Sequence, residues 1–220
     1  NAKRLQQEVK DESQWTDYFA DATQQIRRSL KTGDILNTSV REIRRILECD
    51  RVVVYGMNSD HHGLIIAESV APGWTRAKGR VIKDPCFESR YLDKYRNGRV
   101  RAWSNIYEAG MTQCYIDQLE KLEVKANLVT PIVSEGELFG LLVAHQCSDF
   151  REWQQPEIRW VTQIATQVGF ALDNAKLLEQ LKESSNTSDR LSHQQHQQTE
   201  TLKHQVIEML ANNGDAYQTL

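Results

Sequence analysis

The sequence predicts an α+β domain, with helices packed on one face of an antiparallel sheet. Two shifts in apolar spacing carry that expectation. From Trp15 to Leu47 apolar residues recur at helical intervals. From Arg51 to Cys147 they gather in short β-branched or alternating runs, and from Gln154 the helical interval returns. Turn residues sit where the spacing changes, at Gly33, Asn97-Gly98 and Glu135-Gly136.

Residues 1–14 are polar, with Leu5 and Val9 at helical spacing, and form the tail of an incoming helix. Trp15, Tyr18, Phe19, Ala22, Ile26 and Leu30 make the stripe of the next helix, which Gly33 breaks. Asp34 then caps a second helix with Ile35, Leu36, Val40, Ile43, Ile46 and Leu47 inside. Arg51–Met57 and Leu64–Val70 are strands joined by a hairpin loop. Regular patterning disappears over 72–85, and loops of that length inside compact domains are often functional. A short helix over Phe87–Arg96, a short strand over Arg99–Trp103 and broken helix over 104–123 follow. Two long strands at 125–134 and 137–147 turn at Glu135-Gly136. Ile158, Val161, Ile164, Ala165, Val168, Ala171 and Leu172 then begin a long helix that leaves the domain. Residues 184–199 are polar and glutamine-rich, and Leu202, Val206, Met209 and Leu210 resume a stripe. We therefore expect 173–220 to be a helical connector that pairs with a partner helix, weakest near Ser184–Ser188.

The 220 residues are 40% hydrophobic and 26% charged with a net charge of −3, an ordinary globular balance without the basic footprint of a nucleic-acid binder. No apolar run approaches the roughly 20 residues of a membrane span. The sequence begins at Asn1 without a signal peptide and is expected to be part of something longer. Its four cysteines, Cys49, Cys86, Cys114 and Cys147, include no C-x-x-C pair, which argues against zinc. Nothing marks a secreted chain, so a reducing cytoplasm and free thiols are expected.

Cys114 has the most informative position. Over 112–122, Ile116, Leu119 and Leu122 share one helical face, while Cys114 lies with Asp117, Gln118 and Lys121 on the other. A cysteine used only for packing belongs on the apolar stripe. One in a helix's first turn gains thiolate character, which points to a reactive or ligand-bearing thiol, the bland alternative being a surface cysteine. Cys86 follows Pro85 in a loop, with Asp84 close enough to exchange a hydrogen bond with whatever it meets. Taken alone, Cys86 is a small residue packed under a loop. Cys49 and Cys147 are expected to be structural. His145 alternates onto the strand face of Phe139, Leu141 and Val143, where a lone histidine is ordinarily a satisfied core residue. No second ligand stands at metal spacing from it.

Several separated motifs then resemble one family in order. They are Asp84-Pro85-Cys86-Phe87, the run Asn105-Ile106-Tyr107-Glu108-Ala109-Gly110-Met111-Thr112-Gln113-Cys114-Tyr115, Lys125-Ala126-Asn127-Leu128-Val129-Thr130-Pro131-Ile132, Leu138–Cys147 and Arg151-Glu152-Trp153-Gln154. Over about 15–182 the chain resembles the bilin-binding GAF domains of cyanobacteriochromes, and Asp-x-Cys-Phe resembles the signature of their dual-cysteine type. The resemblance implies an antiparallel sheet with helices packed on it and a light sensor, not an enzyme beyond attaching its own chromophore. The cofactor is a linear tetrapyrrole, phycoviolobilin or phycocyanobilin. Cys114 matches the permanent thioether and Cys86 the reversible one. Asp84 matches the partner of the pyrrole nitrogens and His145 the residue near the D-ring, with Phe87 beside Cys86. Tyr115 stands where the family usually has histidine, a position that stacks on the middle rings.

The resemblance divides the chain into an incoming linker at 1–14, a bilin-binding domain at 15–182 and a coiled-coil connector at 183–220. It implies a homodimer through the terminal helices and a receptor attached to a membrane elsewhere in its length. The segment from His196 resembles, more weakly, the connector of chemotaxis-type phototaxis receptors, and a histidine-kinase output needs a similar one. Two alternatives compete: a GAF domain regulated by another small molecule, and a thiol-redox sensor using Cys86 and Cys114.

Overall fold

The computed structural model describes residues 2–57, 63–82 and 89–214, with side chains over 12–56, 63–82 and 93–209. Asp84, Cys86 and Phe87 lie outside these residues. Residues 1–175 form one compact unit and 176–220 a second.

The first unit opens with α1 (Ala2–Arg27) and α2 (Thr32–Leu47), so the expected incoming segment and the Trp15 helix are one element. The strands are β1 (Arg51–Met57), β2 (Gly63–Val70), β3 (Val81–Ile82), β4 (Arg101–Trp103), β5 (Ala126–Ser134) and β6 (Glu137–Gln146). Between them lie α3 (Ser89–Arg96) and α4 (Gln113–Glu120), and α5 (Gln155–Gly214) ends the described chain. The strands form one antiparallel sheet in the order β3-β2-β1-β6-β5-β4. β3 was not visible in the sequence: its two residues are too few to show a period and pair only with Gly63 and Leu64. The β5–β6 turn has Glu135 at φ 53° and Gly136 at φ 78°, the doubly left-handed form that matches strand twist.

Alternation sorts each strand between two cores. Val52, Val54, Leu128 and Leu142 face α1, α2 and α5, meeting Ile26, Ile35, Ile43, Val161, Ile164 and Val168. The fit is close, since a Cβ on Gly169 of α5 would stand 2.0 Å from Val133 O of β5. Val53, Ile65, Val129, Leu141 and Val143 point the other way, toward Tyr95 of α3 and Ile116 and Leu119 of α4. The expectation of helices on one face is thus corrected to helices on both. The apolar face of α4 read from the sequence, Ile116, Leu119 and Leu122, is buried here, but helical spacing does not tell which face of the sheet a helix covers. Phe139 is a second correction, because it packs against the first core and not beside His145. The β5–β6 pairing shifts between Ile132 and Val133, which takes Phe139 out of alternation.

The side chains of the second unit, from Lys176 to Met209, are exposed, among them Leu177, Leu181, Leu191, Leu202, Val206 and Met209. Its helix runs unbroken through Ser184–Ser188, where the sequence has least apolar support. Among the described residues, no helix is long and apolar enough to cross a membrane.

Candidate functional site

A cavity lies between the sheet and α4. β1 contributes Val53 and Tyr55, β2 Ile65 and β3 Ile82. Asn127 and Val129 come from β5, Leu141, Val143 and His145 from β6, and Tyr115, Gln118 and Leu119 from α4, with Leu122 just beyond it. About 70 Å³ of free space remains between these side chains. That is room for only a few waters.

The wall is mostly apolar; besides Gln118 of α4 and the tyrosine hydroxyls, it carries two polar side chains at one level of the sheet. Asn127 of β5 and His145 of β6 are direct register partners on the cavity face. Asn127 is 0% exposed and His145 3%. Both amide atoms of Asn127 and Nδ1 of His145 are buried without a hydrogen-bond partner among the described residues. Such groups cost roughly 1–3 kcal/mol each when unsatisfied, and buried polar atoms are nearly always paired. On a cavity wall they are polar groups with bonding capacity open to a ligand or to water. Burial, then the nearby positive charge of Arg51, holds His145 down to about pH 3, so the imidazole is neutral and offers one N–H and one lone pair. This moves His145 from the satisfied core residue that its position alone favours to a cavity residue with unused bonding capacity. Asn127 was part of a motif in the sequence but had no role there. Its signal was a polar residue inside the apolar β5 run, and only the pairing with β6 shows which way it faces.

On the opposite wall, α4 starts at Gln113 after the extended Thr112, so Cys114 lies in the first turn, half-buried. Tyr115 and Gln118 line the cavity. The Tyr115 ring meets Trp103 of β4 edge-on at 6.4 Å. Cys114 is disulfide-bonded, so the expectation of free thiols fails at this residue. Sequence spacing does not show which thiols the fold brings together. Cys49 and Cys147 are free and buried as expected. Burial pushes Cys49 up to about 12 and Cys147 up to about 11, which removes thiolate character near neutral pH.

Beneath the cavity Arg51 is fully buried, its Nε 3.2 Å from Glu68 Oε1 at ion-pair distance but without hydrogen-bond alignment. Read from spacing alone, Arg51 does no more than open a strand. Beside it Asp50 Oδ2 accepts hydrogen bonds from Gln146 Nε2, Cys147 N, Ser148 N and Ser148 Oγ at 2.7–2.8 Å. Partial burial opposes ionisation of Asp50, but these donors outweigh it and hold the carboxyl below its ordinary range.

Residues 32–172 match the GAF domain family. A putative methyl-accepting chemotaxis protein of Synechocystis sp. is 44% identical over 178 residues, 81% of this chain and 18% of that protein. The blue-light absorbing form of the GAF domain of Thermosynechococcus elongatus PixJ, a cyanobacteriochrome, is 43% identical with a TM-score of 0.67, covering 70% of this chain and 91% of that one. A far-red absorbing dark state with bound biliverdin IXa is 28% identical with a TM-score of 0.68, covering 72% and 99%. The chain spans 18% and 25% of the first two curated relatives it matches, the chemotaxis protein and a Synechocystis circadian input-output histidine kinase. With the family match across most of the sheet domain and the PixJ domain covered nearly end to end, the chain belongs to the GAF domain family, in its cyanobacteriochrome branch.

Proposed function

We propose that this chain is a light-sensing domain that carries a linear tetrapyrrole, phycoviolobilin or phycocyanobilin, in the cavity between the sheet and α4. The observation that carries this is the Asn127–His145 pair, buried and unsatisfied among the described residues on a mostly apolar wall. A ligand with a long apolar π-system and a few N–H and C=O groups matches that wall in kind. The relatives named for a blue-light absorbing form and for bound biliverdin support the same choice.

Such a group supplies visible absorption and a double bond that light isomerises. Cys114 is assigned the permanent thioether, formed when its thiolate gives an electron pair to the ligand's side chain and a proton follows. Tyr115 presents its ring to the ligand from α4, and Leu141, Val143 and Val129 exclude water from it. His145 and Asn127 hold its polar atoms. Cys86 is assigned the reversible thioether, with Asp84 bonding ring nitrogens and Phe87 alongside. Addition of Cys86 shortens conjugation and gives a blue-absorbing state, and its release gives a green-absorbing one. Exposed apolar residues along the second unit support pairing with a second copy and output through a chemotaxis-type or histidine-kinase partner domain.

The disulfide at Cys114 favours one other reading, a thiol-redox sensor. Both are tested by co-producing the chain with phycocyanobilin under reducing conditions and recording spectra before and after blue and then green light. Two interconverting bands, with zinc-dependent fluorescence of the denatured protein, are expected. A colourless product from reduced protein refutes the photoreceptor, and peroxide-dependent loss of thiols then supports the redox sensor.

A further inference from the structure

Arg51 is a guanidinium with no exposed surface. Burying that charge is costly unless nearly every donor finds a partner. Its partners come from separate parts of the cavity wall. Nη1 donates to Leu122 O at 2.6 Å, and Leu122 follows α4 and lines the cavity. Nη2 donates to Thr75 O at 2.6 Å in the loop that leads into β3, whose Ile82 also lines it. Glu68, beside Nε, accepts hydrogen bonds from the N–H groups of Ala77 and Lys78 in that same loop. One charge pair therefore ties the exit of α4 to the β2–β3 loop. Arg51 is also the β1 register partner of His145, which in turn faces Asn127 across β5.

We propose that Arg51, paired with Glu68, is a positioning residue of the cavity. Its fork holds α4 and the β2–β3 loop in one arrangement, and its charge sets the electrostatic surroundings of His145. This rests on the chromophore reading for its purpose but not for its geometry. Among the described residues the titratable groups around His145 are these. β1 supplies Arg51 and Tyr55, β2 supplies Glu68, and α4 supplies Tyr115. Glu123, 3.9 Å from Arg51 Nη2, comes from the turn after α4, and Cys147, with Asp50 bound to its N–H, lies two residues along the chain. Asn127 of β5 carries no charge. Removing the Arg51 charge leaves Glu68 as a buried carboxylate without its cation, and both changes make protonation of His145 easier. Burial of the imidazole continues to oppose it.

The test compares wild type, Arg51→Gln, Arg51→Lys and the double variant Arg51→Gln/Glu68→Gln in the whole chain. In reduced, bilin-free protein, histidine NMR follows His145, its resonance identified by His145→Gln. Wild type is expected to show no His145 titration between about pH 5 and 8. Arg51→Gln is expected to bring the titration into that window, and the double variant to move it part of the way back. Trypsin cleavage between Arg76 and Arg80 is expected to rise about tenfold in Arg51→Gln as the loop loses its charged hydrogen bonds. Arg51→Lys keeps the charge without the fork, so it is expected to leave His145 silent while cleavage still rises. It also serves if Arg51→Gln does not fold. With phycocyanobilin loaded, the spectrum of Arg51→Gln alone should change with pH. A variant that only melts earlier, with His145 silent and cleavage unchanged, overturns the proposal. A colourless wild type instead overturns the chromophore reading, and the bilin-free measurements still decide the role of Arg51.

Discussion

His145 should make this domain acid-sensitive well above the range where carboxylates titrate. In the unfolded chain its imidazole takes a proton near pH 6.5, whereas in the fold burial and Arg51 hold it near pH 3. The folded value is the lower one. The stability at stake is therefore complete above about pH 6.5 and is lost as pH falls from there toward the folded value. Integrating one group between these values from pH 7.5 to 4.5 gives a loss of about 2.5 kcal/mol. His145→Gln removes the titrating group, whatever else it does to baseline stability. Urea unfolding followed by tryptophan fluorescence at several pH values measures both proteins. With a slope of about 2–3 kcal/mol per molar urea, the wild-type midpoint should fall about 1 M further than the variant's over that range. Parallel pH dependence in the two proteins would refute the reasoning, because it would mean that His145 is protonated in the fold or reaches water there.

Cys114→Ala should abolish zinc-fluorescent adduct, while Cys86→Ala should keep it and lose only the blue-absorbing state; normal blue-state photochemistry in Cys86→Ala would remove Cys86 from the photocycle. Gly169→Ala forces a methyl group against Val133 O. It should cost about 2 kcal/mol, a fall in Tm of about 6 °C, and an unchanged melting curve would mean that α5 shifts freely. Asp50→Ala leaves the N–H groups of Cys147 and Ser148 without their acceptor. It should cost about 2–3 kcal/mol in urea unfolding. The Asp50 carboxyl is held below its ordinary value, so its stabilisation is present above about pH 4 and fades as pH falls. The variant should therefore lose that part of the acid limb.

Legibility followed the range of the interactions. The β5–β6 hairpin was legible because Glu135-Gly136 and the flanking runs are local, and α2 because six apolar residues repeat at one spacing. The helical layer on the second face was legible only in part: the Ile116, Leu119 and Leu122 face of α4 was read from spacing and is buried, but spacing does not tell which face of the sheet a helix covers. Phe139 was misplaced by a single irregularity of pairing, since strand alternation holds only while the register does. In the site, Tyr115 and His145 were found through motifs and do line the cavity. Arg51 and Glu68 were not, because two charged residues on neighbouring strands look like solvated edge positions until both are buried.

The polar level of the sheet ties these observations together. Arg51, His145 and Asn127 occupy consecutive strands β1, β6 and β5 in direct register. The Nη atoms of the first donate to carbonyls and its Nε lies at ion-pair distance from a carboxylate without a hydrogen bond, while the other two keep buried atoms without partners among the described residues. A fold selected for stability alone would place apolar residues at all three positions, because buried polar pairs rarely exceed well-packed hydrophobic ones in net stability. The same level meets Leu122 at the exit of α4 and, through Thr75, the loop into β3. A ligand that satisfies Asn127 and His145 therefore acts on the strands that also set the position of both wall segments. A change in which of its atoms meets that pair has a short physical route to α4 and to the β2–β3 loop.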